Sequence, residues 1–417
     1  MKIALVSPTF RIKGGVETTT LSLMEALMER GHGVKLFTSE ISLQEFPAHL
    51  REATHELHAG GLFSTFLDWR RAGWKLRSLL EAFDCIHCQN HPTNVWLYYC
   101  FKKARNHPPV LLFLHEPPAH LYGDMALKPS YGKKPRYFKG RIREEGWNVL
   151  PAMMQKSVFY SLRYLCPERL DRFHREIDGR AVHAADLLLT TSRYIQEKLK
   201  GIFGLSFEVC DQGIKVPAVI HAAPDPDGKE YLLTVGRLEP QKNTEMILQA
   251  MKILSDRGAC LKVKLKIVGS GTEAVRLQQL CGELSLEDRV EFLGFVSRDM
   301  LWQLYAGAMA VITLPFNEPL GLVPIEAMLA GTPVIVAEEG GMKETVLHED
   351  TGLSVDPRNP GKVAEAIERL YRDRDFRRTL AGAGRKHASA RFSWDGFVTR
   401  METYYSKLAE LRHEGRH

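Results

Sequence analysis

A chain of 417 residues exceeds the size at which one hydrophobic core usually stops growing, so two domains are expected. Its 44% hydrophobic and 25% charged residues are those of an ordinary globular protein, and a net charge of +6 over this length gives no reason to expect nucleic acid as a partner. Seven scattered cysteines, an odd number, argue against a disulfide scaffold and for a reducing, cytoplasmic compartment. The opening MKIALVSPTF reaches Ser7 and Pro8 too soon for a signal-peptide core. No later stretch approaches the roughly eighteen uninterrupted apolar residues of a membrane span, so a soluble protein is expected.

Along the chain, residues 3–6 read as a strand, Gly14 and Gly15 as a loop, the stretch ending at Gly31 as a helix, and 34–37 as a second strand. Apolar strand candidates follow at 85–88, 110–114 and 187–190, with helical stretches between them. Such alternation implies a parallel sheet covered by helices on both faces. Residues 217–230, PAVIHAAPDPDGKE, lack either periodicity and read as a linker. The pattern then restarts: strands at 231–235, 264–268, 290–292 and 310–314, with helices at 244–255 and 272–284. The expected fold is α/β, with two doubly wound Rossmann-like domains over 1–216 and 217–390 and a helix over 391–417. Ligands of such sheets bind outside the carboxyl ends of the strands, which places the expected site in a cleft between the domains.

Four features fall just after predicted strands. GGVE, 14–17, has two glycines that let backbone approach a phosphate at a helix start. FLHEPP places His115 at the end of the apolar run VLLFL. VGRLEPQKN, 235–243, puts Arg237 and Lys242 on one loop, and two cations that close suit a diphosphate. The fourth is PFNEPLGLVPIEAMLAGTPV, 315–334, where Glu318 and Glu326 are eight positions apart. On one helix that spacing leaves them about 80° and 12 Å apart. Pro319 and Gly321 interrupt the front, however, and Pro324 suits a first helical position before Gly331 and Pro333 end the helix. Glu318 is then on a loop and Glu326 in the first turn of a short helix, beside the N–H groups of Leu322 and Val323.

In this order, VGRLEPQKN, KIVGSGTE, VEFLGFV, EPLGLVPIEAMLAGTPVI, GGMKETV and TGLSVDP resemble the retaining GT-B glycosyltransferases of family 4, the group 1 set that uses nucleotide-sugar donors. The N-terminal half matches at GGVE, His115 and LLLTTSRYI. The resemblance implies that Arg237 and Lys242 neutralise the donor diphosphate and that Gly15 lets its loop pass near the β-phosphate. It implies that Glu326 accepts hydrogen bonds from the ribose hydroxyls, and that Phe295 and Val296 lie near the base. Glu318, Gly321, Leu322 and His115 would face the donor sugar. UDP is the favoured nucleotide and GDP the next. The acceptor hydroxyl would attack the face the nucleotide leaves, and the departing phosphate oxygen would take its proton. No metal is needed in that scheme, and no DxD-type pair suggests one; no cofactor is expected. The family commonly has Glu-Gly-Phe-Gly where this chain has Glu318, Pro319, Leu320 and Gly321, so Pro319 removes one possible N–H donor.

Other segments read in blander terms. DCIHCQNH, 84–91, has the residues of a zinc site but the pattern of a buried strand, in which Cys85 and Cys88 face opposite ways. Residues 128–143 carry seven Lys or Arg and no acid, which suits a solvated loop, an anionic carbohydrate or lipid-linked acceptor, or peripheral contact with an acidic membrane. The aromatic stretch 62–80 reads as an amphipathic packing helix. In the GT-B fold a last helix returns to the first domain, which makes Trp394 and Phe397 packing residues. The rival functions are a sugar-nucleotide epimerase or phosphorylase on the same fold, or a binding protein without catalysis. An epimerase would want further acid/base carboxylates, a phosphorylase a lysine for pyridoxal phosphate, and a degenerate binder the loss of Arg237, Lys242 or Glu326.

Overall fold

The computed structural model describes residues 1–10, 15–41, 46–57, 66–104, 106–118, 121–122, 167–221, 230–260 and 262–413. The basic segment 128–143, most of the 217–230 linker and the start of the 62–80 stretch lie outside the described residues. The chain divides into two compact units: Met1–Thr190, Ile195–Cys210 and Arg400–His417 form the first, and Thr191–Tyr194 with Asp211–Thr399 the second. Among the described residues no helix is long and apolar enough to cross a membrane.

The first unit holds strands β1 (Lys2–Ser7), β2 (Gly33–Thr38), β3 (Thr54–Glu56), β4 (Cys85–Gln89), β5 (Val110–Leu114), β6 (Leu187–Thr190) and β7 (Glu208–Val209). They form one sheet in the order β3-β2-β1-β4-β5-β6-β7, and the pairings are parallel. Its helices are α1 (Gly15–Glu29), α2 (Phe66–Leu80), α3 (Thr93–Phe101), α4 (Pro167–His183) and α5 (Arg193–Phe203), the last beginning with two residues of the second unit. Every residue of β4 and β5 is buried, as in a parallel sheet covered on both faces; β5 reads as a continuous apolar run, while β4 also buries His87 and Gln89. β4 runs unbroken through Cys85 and Cys88, whose thiols burial pushes up to about 12, so they are core side chains. Helix α2 packs by Ala72, Leu76 and Leu80, and a β-carbon on Gly73 would lie 2.6 Å from the Trp96 carbonyl of α3.

The second unit repeats the plan. Strands β8 (Tyr231–Val235), β9 (Lys264–Val268), β10 (Val290–Gly294), β11 (Ala310–Thr313), β12 (Val334–Ala337) and β13 (Leu353–Val355) order as β10-β9-β8-β11-β12-β13, again parallel. The helices are α6 (Thr244–Asp256), α7 (Ala274–Glu283), α8 (Arg298–Gly307), α9 (Leu322–Leu329), α10 (Met342–Thr345), α11 (Pro360–Arg372) and α12 (Arg374–Arg391). Successive strand residues feed two separate cores. Leu232, Ile312 and Ile335 join Ile247, Leu254 and Ile367 on one face, while Leu233, Val311 and Val336 join Trp302, Ile325 and Met342 on the other. Each fully buried side chain of this kind contributes about 1.5–3 kcal/mol. In both sheets the winding reverses between the first strand and the fourth, β1 and β4 or β8 and β11, and ligand crevices of doubly wound sheets open there.

The last helix, α13 (Trp394–His413), begins in the second unit and ends in the first. Phe397 is buried so closely that a β-carbon on Gly213 would fall 2.6 Å from its own. Further on, Glu402 binds Arg30 and, at 2.9 Å, His32, and the buried Tyr405 hydroxyl lies 2.7 Å from His87 Nδ1. Burial drives the His87 pKa down to about 3, with His115 adding to the effect. The folded chain therefore keeps His87 neutral down to about pH 3, whereas the unfolded chain protonates it near 6.5. Since the unfolded state binds more protons in that window, stability falls as pH drops through it, by up to about 1.4 kcal/mol per pH unit per site. Urea titrations of His87→Gln should show a shallower loss of stability than wild type between about pH 6 and 4; equal slopes would remove His87 as a source of acid sensitivity.

Candidate active site

The carboxyl ends of β8 and β9 are fitted together by missing side chains. A β-carbon on Gly269 would lie 1.9 Å from the Gly236 carbonyl oxygen, and one on Gly271 would lie 2.3 Å from that of Leu238. Leu238 N–H donates to the Ser270 carbonyl at 2.9 Å, sealing the two loops. From this base the β8 loop presents Arg237, which is exposed and has no ion-pair partner among the described residues. A short 3-10 turn, Pro240–Lys242, then places Lys242 just before α6. Asn243 follows in the left-handed region, φ 56°, and its side-chain amide donates to the Pro357 carbonyl at 2.7 Å.

Across the switch point, the loop after β11 meets this turn. Phe316 N–H donates to the Gln241 carbonyl at 2.8 Å, and Lys242 Nζ lies 2.7 Å from Glu318 Oε2. Both side chains are about three-quarters buried. The main chain at Glu318 and Pro319 is laid on Gly340 and Gly341: Gly341 N–H donates to the Glu318 carbonyl at 2.8 Å, and a β-carbon on Gly341 would come within 2.0 Å of the Pro319 carbonyl.

Helix α9 starts at Leu322, two residues before the start expected at Pro324, so Glu326 is its fifth residue and lies beyond the first turn. Gly321 makes the earlier start possible at φ 91°, and Pro324 fits inside the first turn because the N–H groups there have no intrahelical acceptor. A β-carbon on Gly321 would meet Met342 Sδ at 2.5 Å. Glu326 is 7% exposed. Its Oε2 accepts from the Tyr305 hydroxyl at 2.8 Å and its Oε1 lies 2.7 Å from Arg298. Burial first, then the Glu326 charge, holds the Tyr305 hydroxyl well above its ordinary range, so it remains a donor. The Arg298 guanidinium also lies over the Trp302 ring at 5.4 Å. Phe295, 74% exposed, and Val296 precede α8, which Ser297 caps by accepting from Met300 N–H at 3.3 Å.

Sequence reasoning missed Arg298 and Tyr305. The available signal was a stripe at i, i+4 and i+7 on one helix, Arg298, Trp302 and Tyr305. Arg237, Lys242, Phe295, Val296, Glu318, Gly321, Leu322 and Glu326 all stand after β8, β10 or β11 in the second unit. Gly15 and His115 belong to the first unit: Gly15 is the exposed first residue of α1, and His115 follows β5. His115 N–H donates to Asn90 Oδ1 at 3.0 Å, and its ring stacks on Phe113 with centroids 4.6 Å apart. Burial lowers its pKa to about 4, so the ring is neutral at ordinary pH, and its Nε2 has no hydrogen-bond partner among the described residues.

Two family models match side by side: Glycosyltransferase Family 4 over residues 13–215 and Glycosyl transferases group 1 over 219–387. The alpha-1,3/1,6-mannosyltransferase of Mus musculus is 25% identical over 434 residues, covering 95% of this chain and 94% of that protein. A GDP-mannose-dependent alpha-(1-6)-phosphatidylinositol monomannoside mannosyltransferase of Mycobacterium tuberculosis is 30% identical over 285 residues, 63% of this chain and 66% of that one. Several other curated relatives match over less than half of their own length. Among solved structures, sucrose-phosphate synthase from Thermosynechococcus elongatus superposes with a TM-score of 0.76 over 98% of each chain, at 23% identity. With its two parallel Rossmann-like sheets and these adjoining matches, the chain belongs to the group 1, family 4 glycosyltransferases of the GT-B fold.

Proposed function

We propose that the protein is a retaining glycosyltransferase that moves a hexose from a UDP- or GDP-linked donor to a hydroxyl of a carbohydrate or lipid-linked acceptor. One observation carries the reading. Arg237 and Lys242 follow β8, Glu318 and the uncapped start of α9 follow its neighbour β11, and the Lys242–Glu318 pair joins these two strand ends where the winding of the sheet reverses. Two cations against one carboxylate leave a net positive charge, and a helix N-terminus adds roughly half a charge more. That balance suits a nucleoside diphosphate, whose negative charge grows as it departs. The mannosyltransferase relatives, one of them GDP-mannose-dependent, support a nucleotide-sugar donor.

In the reaction, the acceptor oxygen bonds to the anomeric carbon as the bond from that carbon to the phosphate oxygen breaks. Attack comes on the face being vacated, and the acceptor proton passes to the departing oxygen. Arg237 and Lys242 stabilise the leaving diphosphate, Gly15 gives its β-phosphate room, and Glu326 accepts from the ribose hydroxyls while Phe295 and Val296 flank the base. Glu318, Gly321 and Leu322 hold the sugar. His115, neutral at ordinary pH, is suited to hydrogen bonding with a sugar hydroxyl but not to supplying charge. The chain's own cations meet the electrostatic demand, so the scheme calls for no metal. Cys85, Cys88, Cys100, Cys260 and Cys281 are buried thiols outside any disulfide, which fits a cytoplasmic setting.

Calorimetric titration with UDP, GDP, ADP and their sugar conjugates tests the reading, which fails if none of them binds. Lys242→Ala is expected to lower turnover by about 10- to 1,000-fold; turnover at the wild-type level would exclude Lys242 from the leaving-group site. Glu326→Ala should weaken binding of the free nucleoside diphosphate and erase any preference for ribo- over 2′- or 3′-deoxyribonucleotides. A preserved preference would move the ribose elsewhere.

A further inference from the structure

Thr191–Tyr194, in the middle of LLLTTSRYI, belongs to the second unit although the chain on both sides belongs to the first. Four hydrogen bonds hold it there. The N–H groups of Arg193 and Tyr194 donate to the Glu344 carboxylate at 2.9 and 2.6 Å, and the Tyr194 hydroxyl donates to Asn317 Oδ1 at 2.8 Å. The fourth runs from Ser192 Oγ to the Pro319 carbonyl at 2.6 Å, and Ser192 is fully buried.

That last bond completes a series. Three consecutive carbonyls of the Glu318 loop each have a donor: Glu318 from Gly341 N–H at 2.8 Å, Pro319 from Ser192, and Leu320 from the buried Thr345 hydroxyl at 2.6 Å. The peptide bonds here are trans, and a planar trans peptide points its N–H opposite to its C=O. Tying the Pro319 carbonyl to Ser192 therefore turns the Leu320 N–H to the other side of the loop. Tying the Leu320 carbonyl to Thr345 does the same for the Gly321 N–H. Leu320 and Gly321 are both buried, yet neither N–H meets an acceptor among the described residues. Buried N–H groups rarely stay without an acceptor, because an unmade bond costs about 1–3 kcal/mol. A ligand oxygen would supply what the chain does not.

The geometry assigns Ser192 as a positioning residue for the donor: it fixes the Leu320 N–H, with Thr345 fixing the Gly321 N–H, as a pair of donors aimed at oxygens of the transferred sugar. Pro319 has no N–H, so these two are the donors the loop retains between Glu318 and α9. The assignment rests on the reading that a nucleotide sugar lies against this loop.

Calorimetry on the full chain separates the two ideas. UDP, GDP, UDP-glucose and GDP-mannose are titrated into wild type, Ser192→Ala, Ser192→Thr and Thr345→Val. Ser192→Ala and Thr345→Val should each lose about tenfold in affinity for the sugar conjugate that binds, with affinity for its free nucleoside diphosphate unchanged. Ser192→Thr, which keeps the hydroxyl, should match wild type for both ligands. An equal loss for conjugate and free nucleotide would mean general loosening of the unit and overturns the assignment, as does no loss. If one alanine or valine variant is too unstable to titrate, the other decides. Failure of wild type to bind any nucleoside diphosphate instead overturns the reading of the site beneath it.

Discussion

The site in the second unit depends on main chain touching main chain. A β-carbon on Gly341 would lie 2.0 Å from the Pro319 carbonyl oxygen and one on Gly340 would lie 2.7 Å from that of Glu318, so only glycines let the β11 loop settle there. The same device joins the loops after β8 and β9, through Gly269 and Gly271. Loops held by side-chain packing shift when a side chain changes. Loops held by backbone contact and backbone hydrogen bonds keep their shape as long as the glycines remain. This is how three separate strand ends present functional groups in fixed relation, and why the glycine-bearing strings VGR, VGSG and GGM recur around the charged residues.

On that frame each of the two carboxylates is held by a partner already in place. Glu318 has Lys242, and Glu326 has Arg298 and Tyr305. A polar group as buried as Glu326 costs several kcal/mol if left without partners, and its two donors supply the bonds that water would otherwise make. They leave it free to act. Each carboxylate oxygen has two lone-pair directions, and the donors use one on each, which leaves two for a diol. The Lys242–Glu318 pair is less buried, and such pairs add little to stability. Its weight lies in orientation: it stops a flexible lysine from sampling positions away from the proposed diphosphate.

Much of this was legible in the sequence. The strands at 110–114, 187–190, 231–235 and 264–268 were bounded to the residue, because each is a short, mostly apolar run with a sharp end. β3 and β7 left no trace, being three and two residues long, with no residue fully buried. β12 was hidden inside the helix stop of GTPVIVA. The start of α9 was misplaced because Pro324 is a familiar first residue, while the left-handed turn at Gly321 acts earlier and is invisible to that rule. Lys242 and Glu318 could be found because motif spacing records them. Tyr305 meets Glu326 from 21 residues away and Ser192 meets Pro319 from 127 away, and no local pattern encodes such contacts.

Pro319 takes on a definite meaning in this light. The Glu318 carbonyl accepts from Gly341, so the nitrogen of the same planar peptide, that of Pro319, faces the opposite edge. With glycine at this position, as the family commonly has, an N–H would project from that edge. Here a ring methylene does. Proline at this position therefore replaces one possible N–H donor with an apolar surface. It also fixes φ near −65° and removes conformational freedom from the unfolded loop, which favours the ordered form. A loop already held by three carbonyl bonds can spare one N–H, and in the proposed donor site contact with the sugar would then fall to the two N–H groups that Ser192 and Thr345 keep in line.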